Sequence, residues 1–177
     1  HLTNPEAHTT TTAFDKAGRL VTVTAPSYTP LGGSAITPTI TRAYDSAGQL
    51  VSITDPRGNT TSFEYDKLGR RVRITDPAPS GGGTPGQRIM EYDLLGELLA
   101  SVDQNGARIE YTYDDLGRKI TETVIERIPG PAAAYTTKLE YNAAGHLTKA
   151  IAPGNKITRF TVNAAGETTA QTDPLNH

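Results

Sequence analysis

The stretch Tyr44-Asp45-Ser46-Ala47-Gly48-Gln49-Leu50-Val51-Ser52-Ile53-Thr54-Asp55-Pro56-Arg57-Gly58-Asn59-Thr60-Thr61-Ser62-Phe63-Glu64 decides the fold, and Tyr65-Asp66 then begins the same phrase again. Two turn signals sit inside it. Asp45 to Gly48 has Asp at the first corner and Gly at the fourth. Asp55-Pro56-Arg57-Gly58 repeats that pattern with Pro at the second corner, where its fixed φ already suits a type I turn. The intervening runs, Val51 to Thr54 and Thr60 to Tyr65, are too short and too β-branched for helices and read as strands. One unit is therefore strand, turn, strand, turn.

Aligning the chain on aromatic-Asp-x-x-Gly gives seven such turns, starting at Phe14, Tyr44, Tyr65, Tyr92, Tyr113, Tyr141 and Val162. The spacings are 30, 21, 27, 21, 28 and 21, so a 21-residue repeat is lengthened in every other copy. The turn residues are Asp15 and Gly18, Asp45 and Gly48, Asp66 and Gly69, Asp93 and Gly96, Asp114 and Gly117, Asn142 and Gly145, and Asn163 and Gly166. Asn is the other short side chain that hydrogen-bonds its own turn, which is why it can stand in for Asp. Gly at the fourth corner suits a type I turn followed by a bulge at which that residue takes positive φ. In that register the turn Asp faces the residue after Gly, which is Arg19, Arg70 or Arg118. The turn aromatic opposes Leu20, Leu50, Leu98 or Leu147. Val21 with Val23, Val51 with Ile53 and Val72 with Ile74 then point to the other side, which predicts apolar groups on both faces of the sheet.

The extra residues replace the second corner and form Pro/Gly-rich insertions near 25–41, 77–88 and 125–137. Asp55 to Asn59, Asp103 to Gly106 and Pro153-Gly154-Asn155 are the short versions that alternate with them. Both termini, Asn4 to His8 and Asp173 to His177, lie in phase with this corner, and the sole Met is Met90, so the chain reads as a piece of a longer polypeptide.

The phrase Tyr-Asp-x-x-Gly-Arg-Leu…Thr-Asp-Pro-x-Gly-Asn-x-Thr-x-x-x-Tyr resembles the RHS, or YD, repeat family. Tyr65 to Arg70, Tyr113 to Arg118 and Asp55 to Thr61 match it almost letter for letter, and the phased copies span essentially the whole chain. The resemblance implies large bacterial secreted or cell-surface proteins whose repeats build a long, coiled β-strip. In Rhs polymorphic toxins and in the shells of insecticidal toxin complexes, that strip encloses a toxic C-terminal domain; teneurins carry related repeats. The later copies depart from the pattern at Val162, Asn142, Asn163 and Pro153. The family's C-terminal core signature is absent, so neither its self-cleaving Asp nor a toxin is carried over to this chain.

Composition excludes several other classes. The 34 Leu, Ile, Val and Phe residues among 177 imply a thin core, while 27 Thr, 8 Tyr and a net charge of −2 favour a folded β protein over disorder. With no Cys there is no disulfide framework or thiol nucleophile. No apolar run reaches the ~20 residues of a membrane span, and scattered Lys and Arg form no stripe for nucleic acid.

A search for chemistry returns structural explanations. Nearly every Asp stands at a turn corner, where the repeat itself accounts for it. His1, His8, His146 and His177 have no metal-binding spacing, and no nucleophile elbow or phosphate loop occurs. Gly81-Gly82-Gly83 lacks a following helix and Lys, so it reads as a flexible insertion. No cofactor is expected. Packing along the strip accounts for the periodic Tyr and Phe residues; the other reading is a sugar-stacking ladder on an exposed face. Tyr28 and Tyr135 fall in the insertions, outside that period, and are the candidates for contact with a partner.

The expectation is an all-β, antiparallel β-hairpin repeat strip, one array over residues 1–177, forming a curved open segment of a larger β-shell. Its role is non-catalytic: to encapsulate or present a toxin domain. The alternative is an extracellular carbohydrate-binding or cell-adhesion module with a glycan as partner.

Overall fold

The computed structural model describes residues 2–3, 9–126 and 133–175. The expected features at Asn4 to His8, at Ile128 to Pro131 and at His177 lie outside the described residues. Contacts divide the chain into residues 1–87 and 88–177.

The first unit holds β1 (Leu2–Thr3), β2 (Thr9–Phe14), β3 (Leu20–Thr24), β4 (Thr39–Tyr44), β5 (Leu50–Thr54), β6 (Thr60–Tyr65) and β7 (Arg71–Thr75). Each pairs antiparallel with the next in sequence. The second unit holds β8 (Gln87–Tyr92), β9 (Leu98–Val102), β10 (Arg108–Tyr113), β11 (Lys119–Glu126), β12 (Ala133–Tyr141), β13 (Leu147–Ala152), β14 (Lys156–Val162) and β15 (Thr168–Thr172). It follows the same nearest-neighbour antiparallel order. Both units are open meanders of hairpins, and no helix occurs among the described residues. Short β-branched runs between Gly and Pro corners leave the chain no other regular structure.

The register differs from the sequence expectation in one respect. In all seven corner hairpins it slips by one residue between the turn aromatic, or Val162 in the last, and the residue before it. Tyr44 lies opposite Leu50, but Ala43 lies opposite Ser52, so Val51 is a β-bulge. Val21, Val72, Leu99, Ile120, Thr148 and Thr169 occupy the same position. Two bulge threonines give their hydroxyls to the facing backbone: Thr148 to the Glu140 carbonyl at 3.1 Å and Thr169 to the Thr161 carbonyl at 3.2 Å.

The slip shifts apolar residues to one face in the first unit. In the second, Ile89, Val102 and Ile125 share the face of Glu91 and Glu110, so apolar groups on both faces persist there. Side chains alternate along a strand, so a one-residue bulge inverts the parity beyond it. Leu50 and Ile53, which strict alternation would place on opposite faces, both end on the face of Tyr44, because Ile53 lies opposite Arg42. In the first unit this gathers Val23, Ile40, Ile53, Phe63 and Ile74 with the turn aromatics. The opposite face is hydroxylic and charged. Threonine hydroxyls bond there in rungs, Thr24 with Thr39 at 3.3 Å and Thr54 with Thr60 at 2.9 Å, and Arg73 pairs with Glu64 at 3.0 Å. Such cross-strand pairs contribute ~0.2–1 kcal/mol each.

A thin core follows. Ala100 is the one fully buried apolar residue among those described, and charge buries it. It lies opposite Glu91 on one side and Glu110 on the other. Arg108 bridges both carboxylates above it, at 2.7 and 2.8 Å to Glu91 and 2.7 Å to Glu110.

The first insertion is more ordered than a loop. Residues 25–38 continue the hairpin of β3 and β4: Ala25 N–H bonds the Pro38 carbonyl, and Tyr28 and Ile36 exchange both backbone bonds at 3.0 and 2.8 Å. In the second insertion Asp76 N–H reaches the Gly86 carbonyl at 2.8 Å. In the third, β11 and β12 simply extend, placing Tyr135 on a strand opposite Val124.

Candidate functional site: the tyrosine–aspartate corners

Each corner is built from its Asp outward. At Asp15, backbone N–H bonds the Arg19 carbonyl at 2.9 Å and the carbonyl accepts Gly18 N–H at 3.0 Å. One carboxylate oxygen accepts the N–H groups of Ala17 and Arg19 at 2.9 and 3.0 Å, and the other takes Arg19 Nε at 2.7 Å. Asp66 with Arg70 and Asp114 with Arg118 repeat the arrangement. Asp45 and Asp93 bond the backbone of Gln49 and Glu97, and Asn142 and Asn163 that of His146 and Glu167. The corner glycines Gly18, Gly48, Gly69, Gly96, Gly117, Gly145 and Gly166 all take positive φ, between 74° and 96°.

These bonds set the electrostatics. Asp15 and Asp66 are held below the usual carboxylate range, first by the backbone N–H of Arg19 and Arg70 and then by the guanidinium. Asp114 is lowered first by the Arg118 side chain. Glu97 stands where the corners of Asp15, Asp66 and Asp114 have Arg, and its carboxyl is pushed up, by partial burial and then by Asp93 beside it.

Three contacts join one corner to the next. The first uses the tyrosine hydroxyl. Tyr44 donates to the Leu20 carbonyl at 3.0 Å, Tyr65 to Leu50 at 2.8 Å, Tyr113 to Leu98 at 2.9 Å and Tyr141 to Lys119 at 2.8 Å. In each case the inter-repeat ladder has already ended two residues short of that carbonyl, as at Thr22 with Thr41. The hydroxyl satisfies a group that the bulged strand cannot pair, and this is why the position carries Tyr rather than Phe.

The second contact uses the residue after the corner glycine. Its side chain lies over the glycine of the following corner: a Cβ on Gly69 would stand 2.9 Å from Gln49 Nε2, one on Gly117 3.0 Å from Glu97 Oε1, and one on Gly166 2.7 Å from His146 Nε2. The third is cation–π. Arg19 covers the Tyr44 ring at 4.7 Å and Arg118 the Tyr141 ring at 4.9 Å. The sequence reading assigned the post-glycine residue only to its own Asp. The missed signal was that all seven copies carry a long polar side chain there.

The second type of corner shares the turn but not the joint. Asp55 accepts the N–H groups of Arg57 and Asn59 at 2.8 and 2.9 Å, Gly58 has φ of 84°, and the register of β5 with β6 runs without a slip. Asp103 and Gly106 behave alike. Without its Asp, the third short corner contracts: Ala152 lies opposite Lys156, and Gly154 and Asn155 both take positive φ.

Tyr28 is 55% exposed and Tyr135 45% exposed. They stand on different insertions in different units. Among the described residues, no group of three or more His, Asp or Glu is placed to hold a metal ion.

The family model for the RHS Repeat matches residues 44–80 and 92–125. These two stretches are similar to the RHS repeat. Each matched stretch opens on a tyrosine–aspartate corner, so the family signature and the geometry coincide. Solved structures share the fold. TcdB2-TccC3 without its hypervariable C-terminal region aligns at 22% identity over 89% of this chain and 9% of that chain, with a TM-score of 0.66. TcdB2-TccC3-TEV aligns at 22% identity over 91% and 9%, with a TM-score of 0.68. The Photorhabdus luminescens Tc holotoxin pore, carrying a TccC3 mutation, aligns at 21% identity over 90% and 10%, with a TM-score of 0.60. The chain thus spans about a tenth of these relatives' length. No curated protein matches the chain. The two matched stretches are built of hairpins joined corner to corner.

Proposed function

We propose that this chain is an architectural, non-catalytic section of a larger repeat wall in a bacterial toxin complex, secreted or held at the cell surface. The wall would enclose or present a polypeptide domain. The observation that carries this reading is the corner-to-corner joint. Tyrosine hydroxyls and post-glycine side chains make the same contact from one repeat to the next, so the strip can be prolonged without a new kind of interface. The fold shared with toxin-complex proteins ten times longer supports it.

Limited proteolysis of the full-length protein tests the reading. The polypeptide outside the repeats should resist cleavage while the wall is intact and become sensitive when Gly117→Val opens a joint. Equal sensitivity in both forms would contradict it.

A second reading, adhesion to a glycan, is favoured by the exposure of Tyr28 at 55% beside Leu31 at 108% on a projecting hairpin. Glycan-array binding lost in Tyr28→Ala would support adhesion; absence of binding to any glycan would reject it.

A further inference from the structure

The two faces of the first unit differ in charge as well as polarity. Its described strands carry a single carboxylate, Glu64, which lies on the hydroxylic face opposite Arg73 and pairs with it. Among strand residues the aromatic face has no carboxylate but two cations; Arg19, paired with Asp15, reaches the Tyr44 ring from the corner. Arg42 lies opposite Ile53, and Arg71 lies opposite Tyr65. Arg71 stacks on Phe63 at 4.6 Å. Arg42 makes no hydrogen bond or ion pair among the described residues; its Nη1 is buried without an acceptor, while the residue as a whole is only half-buried. A guanidinium among Ile40, Ile53 and Tyr44 with no anion is costly in the free chain, because burial removes water and nothing replaces it.

We propose that this aromatic face of the first unit is the one turned to the enclosed or presented polypeptide, and that it holds an acidic, apolar segment of it with a carboxylate on Arg42. This rests on the reading of the chain as part of a wall. The apolar rows would take the segment's hydrophobic side chains, and Arg42 and Arg71 would neutralise its acids. A polypeptide fits better than a sugar. Sugars stack on open aromatic faces and bond free hydroxyls, but Arg19 covers Tyr44, Arg71 covers Phe63, and the hydroxyls of Tyr44 and Tyr65 already donate to Leu20 and Leu50.

The test measures binding of the 177-residue chain to fluorescently labelled, reduced and carboxymethylated α-lactalbumin, an acidic unfolded polypeptide, with sodium polygalacturonate as the glycan arm. Binding of the polypeptide is expected, with Arg42→Gln weakening it about tenfold, the loss of one charge-assisted hydrogen bond. Arg57→Gln, at an exposed corner off this face, should bind as the unaltered chain does. Arg42→Met should raise the melting temperature of the free chain while weakening binding, whereas an arginine with a purely structural role would lower it. Undiminished binding by Arg42→Gln, equal loss in Arg57→Gln, or binding of polygalacturonate alone would each overturn the proposal. If it fails while proteolytic protection in the full-length protein holds, the choice of face falls and the wall stands.

Discussion

Two corners close neighbouring hairpins in this molecule with nearly the same hydrogen bonds and do different work. At Asp55 and at Asp66 alike, one carboxylate oxygen accepts two backbone N–H groups, and a glycine at positive φ ends the turn. Only at Asp66 does a bulge follow, does the preceding tyrosine reach back to the Leu50 carbonyl, and does the Gln49 side chain cover the glycine. The Asp55 corner ends its hairpin, and a Cβ on Gly58 would meet nothing within 4 Å. Turn chemistry therefore does not define the joint. What defines it is whether the corner is also packed against the next one, and this explains why insertions enter at one kind of corner and never at the other. A loop that serves only itself can lengthen at small entropic cost; a loop that carries three contacts cannot.

The largest difference between the corners should appear at their glycines. Gly117→Val forces a β-branched residue into φ of +74° and against Glu97, so urea unfolding should show a loss of about 2–3 kcal/mol. Gly58→Val suffers the φ penalty alone and should lose about 1 kcal/mol less. Equal losses would mean that the cover over Gly117 contributes nothing. Next in size, Tyr113→Phe strands the Leu98 carbonyl and should cost ~1–2 kcal/mol in the same assay. A cost near zero would assign Tyr only a packing role.

Acid should act on both kinds of corner, since Asp55 is held low too, first by the Asn59 side chain. The Asp15, Asp66 and Asp114 carboxyls lie below their unfolded value of ~3.9, so they stabilise the fold above that pH and lose the effect as pH falls through their lower folded values. Melting temperature should hold above about pH 5 and drop below about pH 4, and Asp114→Asn should flatten that drop, as Asn already serves at Asn142 and Asn163. The smallest effect belongs to Glu97, whose raised carboxyl has the opposite sign: it is less costly when protonated. Glu97→Gln should slightly stabilise the chain at pH 7, with the gain vanishing near pH 4. Gln49 over Gly69 is the natural precedent.

How far these contacts were legible depends on where their cause lies. Strands, turns and period follow from residues a few positions apart, such as Asp66 and Gly69, and the expected pairing of turn aromatic with Leu is seen for Tyr44 with Leu50. The second bulge was hidden because the extra residue carries no turn signature. Val51, Leu99 and Thr148 look like any strand residue, and the slip arises from closing the hairpin after the glycine. Inter-repeat contacts were hidden for a related reason: Tyr44 and Leu20 are 24 positions apart, and only the folded register brings hydroxyl to carbonyl. Alternation puts Arg42 on the face of Ile40 and Tyr44, but only the bulged register brings Ile53 opposite it.

Paired insertion tests the account most directly. Five residues, Gly-Ser-Gly-Ser-Gly, would be inserted after Arg57 in one variant and after Leu68 in another, and urea unfolding midpoints compared. Insertion after Arg57 should cost about 1 kcal/mol or less, the price of a longer closed loop and one lost turn. Insertion after Leu68 should cost at least about 3 kcal/mol, because the Tyr65 hydroxyl bond, the Asp66–Arg70 pair and the cover over Gly69 lose their geometry together. Equal midpoints for the two variants would contradict the claim that the tyrosine–aspartate corner is the joint of the array.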